Sequence, residues 1–142
     1  MSALDSLVRV HRWNVDERRR QAVELEALAR KLQNDIERLG EEQRAEQKIA
    51  SLSLEASYAY PGYARQTMER QATLERSLAE VEEQITQARD ALTAAYQELK
   101  RYEIAAANRE RIKSQLAAKR ERAELDAVAL ENYRRRAASD GM

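Results

Sequence analysis

The chain has 142 residues, with 25 basic and 25 acidic side chains, no cysteine, one proline and three glycines. Ala, Glu, Lys, Leu and Arg fill 84 positions, whereas Leu, Ile, Val and Phe fill 26, thin for a globular core. At zero net charge that composition favours long helices over a compact ball or a disordered chain. The lack of cysteine removes disulfides, zinc fingers and thiol nucleophiles and suits a reducing cytosol. Apolar runs reach four residues at most, as from Ile104 to Ala107, so no direct membrane insertion is expected. The opening residues lack a basic and an apolar signal region, and neither a Gly at position 2 nor a C-terminal prenylation box is present.

Helix one is expected over about residues 3–50. Alternating steps of three and four from Leu4 reach Val8, His11, Val15, Arg18, Ala22, Leu25, Ala29, Leu32, Ile36 and Leu39. The stripe then weakens through Gln43, Glu46 and Ala50. Ser2 with Asp5 three residues on forms a candidate N-terminal cap, with Asp in place of the usual Glu or Gln. A turn is expected over about residues 51–60, because Pro61 disfavours helix at the residue before it and Gly62 adds backbone freedom. Pro is tolerated as a first helical residue, so helix two is expected over about 61–137.

In helix two the same steps run from Leu74 through Leu78, Val81, Ile85, Ala88, Leu92, Ala95, Leu99 and Tyr102. A strict heptad of this kind packs two helices along one seam with a left-handed supercoil. The fold class is therefore all-α, an antiparallel two-helix coiled-coil hairpin treated as a single domain. At 1.5 Å per residue the helices measure roughly 70 Å and 110 Å, so helix one ends opposite about residue 110. The C-terminal part of helix two then overhangs without an intramolecular partner. Its stripe passes through Arg109, Lys113, Leu116, Arg120, Ala123, Ala127 and Leu130, with Ile112 just beside it. Residues 1–20 carry a net charge of +2, residues 109–136 carry +4 and residues 21–108 carry −5. A hairpin places both basic segments at the end holding the termini.

Chemistry is sparse. His11 is the only histidine and falls on the stripe, where a seam position explains it better than a metal site lacking other His or Cys ligands. Paired carboxylates such as Glu41-Glu42 and Glu82-Glu83 lie on solvated helix faces without a pocket to shift their pKa values. There is no glycine-rich phosphate loop and no nucleophile elbow, so neither an enzyme nor a cofactor is expected. Arg9, Arg12, Arg18, Arg19 and Arg20 with Trp13 resemble a nucleic-acid surface, but Asp5, Asp16 and Glu17 interrupt them and the net charge is zero. A protein socket fits better, since Arg pairs bidentately with carboxylates. Tyr58, Tyr60 and Tyr63 cluster at the break with Met68 nearby; they either dock a partner or seal the hairpin end.

The opening Leu4-Asp5-Ser6-Leu7-Val8-Arg9-Val10-His11-Arg12-Trp13, followed by Asp16-Glu17-Arg18-Arg19, resembles the start of the FliJ family of flagellar export proteins. The segment Tyr58-Ala59-Tyr60-Pro61-Gly62-Tyr63-Ala64-Arg65 is similar to the Tyr-Pro bend of that family's alphaproteobacterial branch. The resemblance covers the whole length. It implies a cytoplasmic component, peripheral to the inner membrane at the flagellar base, of the type III export apparatus that serves motility. It also implies an antiparallel coiled coil comparable to the central stalk of rotary ATPases. The terminal end would enter the export ATPase ring and promote its assembly, with Arg9, Arg12, Trp13, Arg18 and Arg19 as its contacts. The shaft nearer the turn would meet the export-gate membrane protein through Tyr58, Tyr60 and Tyr63, and some such proteins escort export chaperones. The alternatives are a free-standing coiled-coil adaptor or chaperone, and the related stalk of an injectisome secretion system.

Overall fold

A computed structural model describes residues 2–141. Two α-helices, α1 (Ala3–Ala50) and α2 (Leu54–Asp140), make up nearly all of them, and no strand occurs among the described residues. The all-α helical hairpin expected from the periodicity is what forms.

Helix α1 starts on a capping box. The Asp5 amide donates to Ser2 Oγ and the Ser2 amide donates to Asp5 Oδ2, both at 3.2 Å, which satisfies donors that a helix start leaves without partners. The helix ends where Ser51 Oγ donates to the Lys48 carbonyl at 2.6 Å and the Leu52 amide tightens onto the Ile49 carbonyl at 3.0 Å. Ser53 caps α2: its Oγ accepts from the Ala56 amide at 3.4 Å, and its carbonyl accepts from the Ser57 amide at 3.0 Å.

The break therefore falls at Ser51-Leu52-Ser53 and α2 begins at Leu54, not at Pro61. Pro61 is inside α2, its eighth residue. Its missing N–H leaves the Ser57 carbonyl without its intrahelical donor, a defect that the cap at Ser53 and the packing further along α2 outweigh. Gly62 makes no use of its freedom: no glycine among the described residues has positive φ, and the site of a Cβ there is open space.

The chain divides into two compact units, described separately. One comprises His11–Gln97. Here the helices run antiparallel: Asp35 and Leu39 of α1 line the same cleft as Arg70 and Leu74 of α2, Ala29 packs with Val81 and Ile85, and Glu26 meets Arg89. Rising numbers on α1 meet falling numbers on α2. The core is the expected seam. Val15, Ala22 and Ala29 are buried at seven-residue spacing, and Leu25, Leu32 and Leu78 close over the cluster of Ala29, Val81 and Ile85. Small alanines at these points let the backbones approach and leave the larger Ile85 and Val81 to fill the space. Arg89 Nε and Nη2 donate to Glu26 Oε1 at 3.2 and 2.8 Å, tying the helices at the rim. Thr67, 4% exposed, and half-buried Gln71 extend the seam toward the turn, ahead of Leu74.

The other unit comprises Met1–Val10 with Glu98–Met142. Val8 and Leu99 are buried, and Leu4, Tyr102 and Ala106 are half-buried. Hydrogen bonding from the Ser2 side chain, and then from the Ser2 backbone, holds the Asp5 carboxyl below its ordinary range, with a smaller contribution from the Arg109 charge. Beyond Ala106, every described residue of α2 is exposed, although the helix continues to Asp140.

Candidate interaction surfaces

Three surfaces gather the residues the sequence singles out. The first is the N-terminal part of α1. Arg9, Arg12, Trp13, Arg18 and Arg19 are all exposed, with Trp13 at 64%. Arg9 belongs to the unit holding the chain ends and the other four to the His11–Gln97 unit. In the latter, helical spacing sets Arg12, Asp16 and Arg19 in a row flanking the seam and Trp13, Glu17 and Arg20 in a row on the far side of α1. Arg19 Nη1 lies 3.7 Å from Asp16 Oδ1, and Arg20 Nη1 donates to Glu17 Oε1 at 2.7 Å. These exposed i,i+3 pairs are weak, so both guanidinium groups stay available to an incoming carboxylate. Arg20 thus belongs to this surface although it was not among the candidate contacts. Arg18 lies elsewhere, on the seam row between Val15 and Ala22, and its long side chain carries its charge out to solvent.

The second surface is the turn, where the tyrosines separate into two kinds. Tyr60 and Tyr63 are half-buried, with ring centroids 6.4 Å apart and planes tilted by 39°. Their positions continue the seam backward from Thr67 by steps of four and three. Tyr58 is 81% exposed and lies with Leu54, Pro61, Met68 and Ala72 on an outward stripe of α2. Sealing therefore describes Tyr60 and Tyr63, and an outward display describes Tyr58. A shallow groove bordered by Pro61, Ala64, Met68 and Ala72, with Arg65 and Glu69 at its margin, adjoins it. The apolar stripe legible from Leu74 onward does not reach these tyrosines, because polar Thr67 and Gln71 carry the seam between them and Pro61 signals a helix start.

The third surface is residues 107–141, all exposed. Ile112, Leu116 and Leu130, each just over half exposed, lie on one helical face with Ala123 and Ala127. Their spacing is that of a coiled-coil seam, yet α1 covers none of them. The unit that includes this segment carries a net charge of +3.

No group of three or more His, Asp or Glu side chains among the described residues could hold a metal ion, and no described helix is long and apolar enough to cross a membrane. His11 occupies a half-buried seam position.

No curated protein and no solved structure matches the chain. A family model described as "Flagellar FliJ protein" matches residues 1–138. That match spans the capping box, both helices and the exposed C-terminal segment, and it agrees with the motifs at Leu4–Trp13 and Tyr58–Arg65. The chain belongs to the FliJ family and is a flagellar, export-related protein.

Proposed function

We propose that this protein is the stalk-like component of the flagellar export apparatus that engages the export ATPase ring, promotes its assembly and links it to the export gate. It would act in the cytoplasm, peripheral to the inner membrane, without catalysis of its own. The observation that carries this reading is the long helical segment 107–140, which displays Ile112, Leu116 and Leu130 in coiled-coil spacing with no covering helix. A helix of that length is marginal alone in water and gains order from a partner that covers its seam. Its basic residues, with Arg9 of the same unit, suit an acidic socket in the ATPase ring; in the other unit Arg12, Arg18 and Arg19 are candidate carboxylate contacts, with Trp13 as an amphipathic anchor. At the turn, Tyr58 and its outward stripe offer a contact for the gate protein, while Tyr60 and Tyr63 hold the turn in shape. Export chaperones are further candidates for the outward apolar stripe.

The test is ATP hydrolysis by the same organism's export ATPase, with and without the chain. Stimulation by the wild type that Arg9, Arg12, Arg18 and Arg19 changed to Glu abolish supports docking through this surface. Stimulation retained by that variant removes these residues from the contact. Neither stimulation nor co-elution with the ATPase refutes the stalk.

A further inference from the structure

The exposed C-terminal segment is complementary to itself in a specific orientation. Residues 112–122 contain four basic side chains and one acid, for a net +3, whereas residues 123–133 contain three acids and no base, for a net −3. The two blocks are equal in length, opposite in charge and adjacent on one helix. All their side chains are exposed, so neither block is neutralised by α1. Glu131 pairs with Arg135 at 3.5 Å, between two exposed side chains of the same helix. The apolar face has the same symmetry, because Leu116 and Leu130 stand equally far from Ala123.

We propose that a second copy of this chain covers the 112–133 face as an antiparallel, two-fold symmetric coiled-coil dimer centred near Ala123. In that register Leu116 faces the partner's Leu130, and Ala123 faces the partner's Ala123. Lys119 lies on the same side of the seam as the partner's Asp126 and nearly level with it, and Arg120 likewise beside the partner's Glu124. The two-fold axis repeats each pair, so a single arrangement satisfies both charge blocks twice. A parallel copy would set base against base and acid against acid along the whole window, and this like-charge juxtaposition selects against it. The paired window is roughly 30 Å long. With only Ile112, Leu116 and Leu130 as large apolar groups on the paired face it holds weakly, so the dimer belongs to high protein concentration and low salt. The inference goes beyond the stalk reading and stands without it. Where both hold, dimer and ATPase compete for one face, and the dimer is a resting form.

Sedimentation equilibrium of the full chain tests this, at low ionic strength and concentrations from about 5 to about 500 µM, with helicity followed by circular dichroism. Wild type is expected to rise from a 16.4 kDa monomer toward twice that mass. A first variant carries Lys119→Glu, Arg120→Glu and Arg122→Glu; a second carries Glu124→Lys, Asp126→Lys and Glu131→Lys. Each alone is expected to remain monomeric, and an equimolar mixture of the two is expected to recover the doubled mass. Three results overturn the proposal: a wild type that stays monomeric throughout, which leaves the face to another partner; a variant that dimerises alone as well as wild type; or a mixture that fails to associate.

Discussion

Stability should be concentrated where α1 covers α2, and one pair of substitutions measures this. Ile85 is 8% exposed and packs with Ala29 and Val81 under Leu25, Leu32 and Leu78. Ile85→Ala removes three carbon atoms, about 2.4 kcal/mol at ~0.8 per methylene. The helices cannot close over the gap, because the leucines on either side hold them apart, so a cavity contribution brings the total to about 3 kcal/mol. For a chain of this size that lowers the midpoint of thermal unfolding by about 10 °C. Leu116→Ala removes the same number of carbons from a side chain that is 53% exposed, and alanine is the better helix former. Its cost is expected to be below about 0.5 kcal/mol. Melting at 222 nm in dilute protein reads both. Equal destabilisation by the two, or a larger loss from Leu116→Ala, would refute the assignment of the core to the covered seam.

Other consequences follow from local geometry. Pro61→Ala restores a donor to the Ser57 carbonyl at an exposed position, so it is expected to raise stability by about 1 kcal/mol and to slow amide exchange in residues 57–60. Unchanged exchange there would show that α2 tolerates Pro61 without strain. Tyr60→Ser with Tyr63→Ser is expected to destabilise the turn region by about 1–2 kcal/mol, whereas Tyr58→Ser leaves melting unchanged; the reverse order in a melting experiment would move Tyr58 into the seam. The folded-state pKa of Asp5 is lowered, so the capping box is intact above the ordinary aspartate range and is lost as pH falls through and below it. Ser2→Ala is expected to return the Asp5 value toward the ordinary one in an NMR titration, and no movement would remove Ser2 as the cause.

Much of this fold could be read from the residues because a two-helix seam writes itself as a seven-residue period. Val8, Val15, Ala22 and Ala29 are buried at that spacing, and Val81, Ile85, Ala95 and Leu99 follow the matching steps on α2. The capping box at Ser2 and Asp5 was also visible, since a short oxygen-bearing side chain and an acid three residues on have few other uses at a helix start. The turn was misplaced because Pro-Gly is a stronger local signal than Ser51-Leu52-Ser53. Two hydrogen bonds and a serine cap decide the break, and a proline at the eighth residue of a long helix costs one bond rather than the helix. Of the two roles the residues offer the tyrosines, sealing goes to Tyr60 and Tyr63 because a helix that begins at Leu54 puts both on the seam row. Arg18 obeys the period yet stays exposed, because a long aliphatic stem can follow the seam while its charge remains in water. Family membership rests on short motifs and a match over residues 1–138, whereas the contact residues on α1 depend on a partner that only an experiment with the ATPase supplies.

The central claim is that residues 107–140 form a helix awaiting a partner. Amide hydrogen exchange of the dilute chain, alone and with the export ATPase, tests it most directly. The account predicts rapid exchange from about residue 107 onward in the free protein, slow exchange across the seam around Ala29, Val81 and Ile85, and marked protection of 107–140 once the ATPase is added. Strong protection of that segment in the free monomer, or exchange unaltered by the ATPase, would contradict it.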